Sequence, residues 1–246
     1  MKLHLTQDSR IPQPRICKIK RVKSARLLRR DVDLDVITYP ARLEPVQGVL
    51  VVLHGWGANA QDVAALAAYL DLPNYQLCFP NAPFPFPYGP AGRMWYDLPA
   101  DYSFFSRPEF RDQPELRQSR QLLTDWLLSL EQITGVPLSR TILAGFSQGG
   151  AMTLDVGLQL PLAALMVLSG YLHAPLDAAT LTQPLPKVLM VHGRQDQVVP
   201  LLASYQARDR LLELGASVHY HELMMGHEIQ PAVLKLMQSF IEEMTA

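Results

Sequence analysis

The chain has 246 residues, of which 48% are hydrophobic, and it carries a formal net charge of −1. This length and composition suit one domain with a sizeable core, and no run approaches the roughly 20 apolar residues of a membrane span, so we expect no transmembrane segment. Two cysteines, Cys17 and Cys78, are too few for a disulfide framework and have no Cys or His neighbours that would suit a metal site. We therefore expect a cytoplasmic protein with no metal and no cofactor.

Residues 1–30 form a strongly basic N-terminal arm. They contain ten Lys and Arg and one acid, Asp8, which leaves 12 of the 22 basic residues and 22 of the 23 acidic residues for the rest of the chain. The arm lacks the apolar core of a secretory signal. Three interpretations stay open: a disordered or loosely docked tail, an added edge strand at residues 16–22, or a segment for targeting or weak contact with an anionic surface. We expect no nucleic-acid partner, and the sequence does not indicate an oligomeric state.

Residues 31–246 are predicted to form one α/β domain, because strand-like apolar runs alternate with helix-like segments. This alternation is typical of a mostly parallel sheet with helices on both faces. Strands are predicted at residues 33–38, 49–53, 76–79, 141–144, 164–168, 188–191 and 217–222. Helices are predicted at residues 61–70, 114–133, 147–159, 201–214 and 229–244, and Gly215 is a natural stop after the fourth.

Residues 80–114 interrupt this alternation with a segment rich in proline and aromatic residues. Such a segment is long for an inert connection in a compact domain. Its aromatic side chains either seal the core beneath an irregular crossover or line a pocket for an acyl group. The second interpretation makes Phe84, Phe86, Trp95 and Tyr96 the candidate substrate-binding residues.

The segment Gly145-Phe146-Ser147-Gln148-Gly149 is typical of a nucleophile elbow, in which a serine occupies a strained turn between a strand and a helix. The five residues alone are not specific, since a glycine-rich turn with an incidental serine has the same pattern. Their setting favours the elbow, because a β-branched and apolar run precedes them and a helix-like run follows. Ser147 is therefore the candidate nucleophile.

A serine nucleophile needs an imidazole base and a carboxylate that orients the base. In the fold that carries this elbow, the chain order is Ser, then Asp or Glu, then His. Asp196 follows a predicted strand 49 residues after Ser147, and His227 lies 31 residues further, between the last strand and the last helix. We predict a triad of Ser147, Asp196 and His227. The other histidines of this region fit less well by position, namely His173, His192, His219 and His221.

Acyl transfer also needs backbone N–H groups that bind the developing oxyanion. One is expected from the residue after the nucleophile, Gln148, and the other from a glycine-rich loop after an early strand. Trp56 lies in such a loop, between Gly55 and Gly57. The alternative is an ordinary turn that leads from the strand into a helix.

These segments together resemble the phospholipase/carboxylesterase family of α/β-hydrolases, which includes acyl-protein thioesterases and bacterial carboxylesterases. The matching segments are residues 53–57, 95–97, 145–150, 192–193 with Asp196, 199–200 and 226–227. The resemblance implies an α/β-hydrolase fold, a Ser147-His227-Asp196 triad, no metal, and cleavage of small-molecule esters or thioesters. Trp56 departs from the leucine that is usual in the family, so the adjoining pocket is expected to be narrower. The basic arm has no counterpart in the family pattern.

The expected activity is that of a carboxylesterase acting on apolar acyl groups through an acyl-enzyme. Acyl-protein thioesterase and lysophospholipase activities are the nearest alternatives. A serine peptidase or a non-catalytic binding protein on the same scaffold is less compatible with the sequence, because no additional domain is evident and the triad positions are intact.

Overall fold

A computed structural model describes residues 34–98, 113–173 and 176–245 of the chain. The basic arm, the predicted edge strand at residues 16–22 and Cys17 lie outside the described residues. The strands in these three ranges are β1 (Val36–Tyr39), β2 (Gly48–Leu53), β3 (Tyr75–Pro80), β4 (Phe84–Pro85), β5 (Arg93–Met94), β6 (Thr141–Phe146), β7 (Ala164–Leu168), β8 (Lys187–Gly193) and β9 (Val218–Leu223). The α-helices of the same ranges are α1 (Ala60–Ala64), α2 (Pro114–Thr134), α3 (Gln148–Gly157), α4 (Leu201–Glu213) and α5 (Pro231–Thr245).

Seven strands form the central sheet in the order β1-β3-β2-β6-β7-β8-β9. Strand β1 pairs with β3 in an antiparallel arrangement, and the other neighbours pair in parallel. Strands β4 and β5 form a separate two-stranded hairpin. The predicted α/β class and mostly parallel sheet are therefore confirmed, and all seven predicted strands occur in the central sheet.

Apolar side chains cover both faces of this sheet, as a parallel sheet requires. Alternate residues of β2 point to opposite sides, so that Val51 joins the core beneath α2, α3 and α4 while Val52 joins the core beneath α1 and α5. The first predicted helix differs from the prediction: α1 ends at Ala64, and a 3-10 helix continues from Ala65 to Tyr69. Such tightened turns are common at helix ends. None of the helices in the three described ranges is both long and apolar enough to cross a membrane.

Parallel pairing brings the carboxyl ends of β2, β6, β8 and β9 to one edge of the sheet. The four loops that follow these strands begin at His54, Ser147, Arg194 and Met224. Trp56, Ser147, Asp196 and His227 lie in these loops, and Gln148 is the first residue of the helix that follows Ser147. The register of the sheet thus places residues from distant parts of the chain beside one another.

Candidate active site

Ser147 lies in a strained turn between β6 and α3, with φ of 56° and ψ of −116°. Positive φ is unfavourable for a residue with a side chain, and it persists here because the turn is held on both sides. The Ser147 N–H donates to the Leu168 carbonyl at 2.8 Å, and the Ser147 carbonyl accepts from the Ala151 N–H at 3.0 Å. The strand-turn-helix geometry is that of a nucleophile elbow.

Gly145 and Gly149 permit the close approach of backbone that this turn requires. A Cβ atom at Gly145 would overlap the carbonyl of Gly149, and a Cβ atom at Gly149 would overlap the carbonyls of Leu53 and His54. Any larger residue at either position would push α3 away from the sheet. The start of α3 therefore lies directly against the end of β2.

Ser147, His227 and Asp196 form a continuous chain of hydrogen bonds. The His227 Nε2 lies 2.9 Å from the Ser147 Oγ, and the His227 Nδ1 lies 2.7 Å from the Asp196 Oδ2. The Phe146 ring packs against the imidazole at a centroid distance of 4.7 Å. The His227 side chain is 16% exposed and the Asp196 carboxylate is fully buried.

The Asp196 carboxylate is bound on both oxygens. Its Oδ1 accepts the Val198 and Val199 N–H groups at 2.9 and 2.8 Å, which leaves Oδ2 for His227. Burial alone would raise the pKa of this carboxyl, but the hydrogen bond and charge of His227 and the two amides lower it below its ordinary value. Asp196 is therefore ionised at neutral pH and holds the Nδ1–H tautomer of His227.

The loops that carry Asp196 and His227 are tied together by backbone contacts. The Gln195 N–H donates to the Met225 carbonyl at 3.0 Å, and a Cβ atom at Gly193 would overlap the Met225 and Gly226 carbonyls. His192 is buried in the same region and donates from Nε2 to the Val199 carbonyl at 2.9 Å. His192 therefore supports the loop backbone around Asp196.

The loop after β2 lies against the elbow, as an oxyanion-binding loop must. A Cβ atom at Gly55 would lie 3.3 Å from the Ser147 Cβ. Trp56 is the next residue, and Gln148 is the first residue of α3, whose N–H has no acceptor within its helix. The structure thus brings the loop that carries Trp56 and the start of α3 together at Ser147.

The structure changes the interpretation of two of the four predicted substrate-binding residues. Trp95 and Tyr96 have no exposed surface. The side-chain amide of Gln148 accepts the Trp95 N–H at 2.9 Å and donates to the Tyr96 carbonyl at 2.7 Å. The Trp95 indole donates to the His54 carbonyl at 3.1 Å, and the Trp95 carbonyl accepts from Ser119. Both residues belong to the buried support of the site, because a side chain without accessible surface cannot contact a substrate.

The other two predicted residues lie on the hairpin of β4 and β5. Phe86 packs edge-on against Trp56, with ring centroids 4.8 Å apart, and Tyr88 extends this aromatic cluster and is 74% exposed. Phe84 is partly buried in β4. Trp95 therefore seals the core, whereas Phe86 adjoins the loop that carries Trp56 and stays a candidate for substrate contact. Residues 99–112 of this segment lie outside the described residues.

Beneath Trp95 and Tyr96 lies a polar network that sequence reasoning missed. The Tyr96 hydroxyl lies 2.6 Å from both the Tyr171 hydroxyl and the His173 Nε2. The His173 Nδ1 lies 3.5 Å from the Asp155 carboxylate, which also pairs with Arg120. Polar residues in otherwise apolar helices, such as Asp155 in α3, were the only signal in the sequence. His173 therefore belongs to this network, where it contacts the Tyr96 hydroxyl, and it is not part of the triad.

Two further features lie apart from the triad. A cavity of about 700 Å³ opens at the opposite edge of the sheet, beside Arg140 and Pro186, which precede β6 and β8. Within residues 34–98, 113–173 and 176–245, no group of three or more His, Cys, Asp or Glu side chains could hold a metal ion.

Comparison with known proteins identifies related sequences and structures. Residues 36–245 match the model of the Phospholipase/Carboxylesterase family. Acyl-protein thioesterase 1 of Neurospora crassa is 32% identical over 201 residues, which cover 77% of this chain and 81% of that protein. Lysophospholipase-like protein 1 of Mus musculus is 27% identical over 208 residues, or 78% of this chain and 84% of that protein. The crystal structure of esterase PE8 superposes with a TM-score of 0.79 at 31% identity and covers 87% of this chain and 100% of its own.

Proposed function

Because this chain belongs to the phospholipase/carboxylesterase family, we propose that it is a serine carboxylesterase that hydrolyses esters of apolar acyl groups through an acyl-enzyme. The relatives include thioesterases and esterases, and they support a serine hydrolase that acts on esters. The observation that carries the specific mechanism is the chain of hydrogen bonds from Ser147 through His227 to Asp196.

Acylation begins when the Ser147 Oγ attacks the ester carbonyl carbon. The His227 Nε2, 2.9 Å from this oxygen, takes the serine proton as the new C–O bond forms. The resulting imidazolium is stabilised by the Asp196 carboxylate at 2.7 Å, which does not itself become protonated. His227 then donates the proton to the leaving alkoxide or thiolate as the original ester bond breaks.

The backbone N–H groups of Trp56 and Gln148 bind the oxyanion during this step. Donors that are already oriented before reaction stabilise developing charge without reorganising. The Gln148 side chain is occupied by Trp95 and Tyr96, so its role at the oxyanion is confined to the backbone amide. In deacylation, His227 takes a proton from water as the water oxygen attacks the acyl carbon. The bond from that carbon to the Ser147 Oγ then breaks, His227 returns the proton to the Oγ, and the carboxylic acid leaves.

The proposed substrates are neutral esters with apolar acyl groups. Phe86, Tyr88 and Trp56 provide an aromatic surface next to the oxyanion loop. Thioester hydrolysis is the second candidate, and the resemblance to acyl-protein thioesterase 1 of Neurospora crassa favours it. The same triad cleaves both bonds, since only the leaving group differs.

Turnover of p-nitrophenyl acyl esters tests the proposal. Wild type is expected to hydrolyse the acetyl and butyryl esters, and Ser147→Ala and His227→Ala are expected to abolish the reaction. The partly exposed residue His219 provides a matched control. The His219→Ala variant changes a histidine on β9 whose ring lies beside Glu243 and Phe240, outside the hydrogen bonds that join Ser147, His227 and Asp196. Turnover that survives in Ser147→Ala would contradict the mechanism. A matched thioester measured in parallel ranks the two candidate substrates, and cleavage of peptides instead would favour a peptidase.

For the basic arm we propose weak contact with an anionic surface, in a cytoplasmic protein. The ten basic residues of positions 1–30 support the contact, and the single buried free cysteine of the described residues, Cys78, suits a reducing compartment. Deletion of residues 1–30 is expected to abolish salt-dependent retention on heparin. Unchanged retention would contradict the contact and leave the esterase proposal intact.

A further inference from the structure

We propose that His54 is a positioning residue for the oxyanion site, because its imidazole holds the peptide group whose N–H belongs to Trp56. This inference rests on the proposed function and adds a residue to its machinery. His54 follows β2 directly and is completely buried. It does not contact the substrate in this proposal, and its effect passes through one backbone peptide.

His54 acts on the peptide group that joins Gly55 and Trp56. The Gly55 carbonyl and the Trp56 N–H belong to the same peptide, and in a trans peptide the two groups point in opposite directions. The His54 Nδ1 lies 2.8 Å from the Gly55 carbonyl oxygen. A hydrogen bond that holds this carbonyl on one side therefore fixes the direction of the Trp56 N–H on the other side.

The hydrogen bonds of His54 also determine which ring nitrogen carries the proton. A carbonyl only accepts, so Nδ1 must be the donor to Gly55. The Nε2 lies 3.0 Å from the backbone N–H of Ala82, which only donates, so Nε2 must be bare. Burial lowers the pKa of His54 to about 4, which keeps the ring neutral at physiological pH. The Nδ1 of His54 is thus a hydrogen-bond donor, and the Nε2 is a hydrogen-bond acceptor.

Other hydrogen bonds hold the residues on either side of the peptide that His54 contacts. The His54 carbonyl accepts the Trp95 indole N–H at 3.1 Å, and the Gly57 N–H donates to the Arg93 carbonyl at 2.9 Å. These bonds hold the loop before and after the 55–56 peptide. The peptide itself is fixed by His54 and by a longer bond, 3.2 Å, from the Ala58 N–H.

The chemical consequence is selective for the transition state. The oxyanion forms only after Ser147 attacks, so a correctly aimed Trp56 N–H stabilises the transition state more than the bound ester. A donation from His54 to the Gly55 carbonyl also polarises the peptide and strengthens the Trp56 N–H as a donor. Loss of this contact should therefore lower kcat and leave KM nearly unchanged.

Two substitutions separate the two nitrogens of His54. The Nδ2 of asparagine can replace Nδ1 as the donor to Gly55, whereas glutamine reaches the Ala82 side and leaves the Gly55 carbonyl without this donor. We expect His54→Gln to lower kcat for p-nitrophenyl acetate by roughly 30- to 300-fold with KM within about threefold, in line with the loss of an oxyanion donor. We expect His54→Asn to stay within about tenfold of wild type. His219→Gln serves as the matched control and should have no effect.

Equal losses of kcat in His54→Gln and His54→Asn, or a change in KM alone, would overturn the positioning role.

Nitrogen NMR of wild type is an independent measurement that does not depend on whether a variant folds. A proton on Nδ1 of His54 at neutral pH supports the proposal, and a proton on Nε2 contradicts it. Ser147→Ala is assayed in parallel. Turnover that persists in Ser147→Ala contradicts the proposed function. Turnover that requires Ser147 but has the same kcat in wild type and His54→Gln contradicts only this inference.

Discussion

Gln148 directly follows Ser147, the proposed nucleophile. We predict that its buried side chain also stabilises the fold. It has no exposed surface, and its amide makes one hydrogen bond to the Trp95 N–H and one to the Tyr96 carbonyl. Gln148→Leu approximately conserves the side-chain volume and keeps the backbone amide. It removes the hydrogen-bond partner of the Trp95 N–H and that of the Tyr96 carbonyl. A buried N–H and a buried carbonyl would then be unsatisfied.

The expected cost follows from these two groups. An unsatisfied buried donor or acceptor costs about 1 to 3 kcal/mol, so the pair amounts to about 2 to 6 kcal/mol. The apolar leucine side chain gains back about 1 kcal/mol on burial. We therefore expect Gln148→Leu to lower the free energy of unfolding by about 1 to 5 kcal/mol, a large part of the stability of an ordinary domain.

Urea unfolding followed by tryptophan fluorescence measures this change. The matched control is Gln159→Leu, because Gln159 is exposed and also donates from its amide to a backbone carbonyl, that of Asp155. The control is expected to change the free energy of unfolding by no more than about 0.5 kcal/mol. If both variants have the same urea midpoint as wild type, the buried amide does not stabilise the site as described.

Three other changes test separate parts of the structure. Asp196→Asn should lower kcat by about 10³- to 10⁴-fold, because an amide no longer secures the Nδ1–H tautomer of His227, and a loss below tenfold in steady-state kinetics would argue against this role. Gly145→Ala should destabilise the protein by at least about 3 kcal/mol in urea unfolding, because the added Cβ overlaps the Gly149 carbonyl, and a variant of wild-type stability would contradict the tight elbow. Burial holds the pKa of His54 near 4, below its unfolded value of about 6.5, so the unfolded state binds a proton that the folded state does not. Stability should therefore fall by about 3 kcal/mol as pH drops from 6.5 to 4, and urea midpoints with the same pH dependence in wild type and His54→Asn would refute this linkage.

Much of the fold could be predicted because most of the parallel strands are short apolar runs between turn signals. Residues 164–168 match β7 at both ends, and the mostly parallel pairing agrees with the alternation of strands and helices. Loop positions were predictable for a related reason, since parallel strands deliver their following loops to one edge. The roles of Ser147, Asp196 and His227 nevertheless stay predictions until a variant is assayed.

What the sequence could not show is the direction of individual side chains within irregular segments. Trp95 and Tyr96 have the aromatic character of pocket residues, yet tertiary packing buries them completely beneath Gln148. Nothing local distinguishes them from Phe86, which lies beside Trp56. The same limit applies to His54, because one of its two ring hydrogen bonds is with Ala82, 28 residues away.

Covalent labelling by a fluorophosphonate most directly tests the central claim that Ser147 is the activated nucleophile of a serine esterase. Wild type is expected to form a single adduct that peptide mass spectrometry maps to Ser147. Labelling should be absent in Ser147→Ala and slowed strongly in His227→Ala. Equal labelling of wild type and Ser147→Ala would contradict the claim.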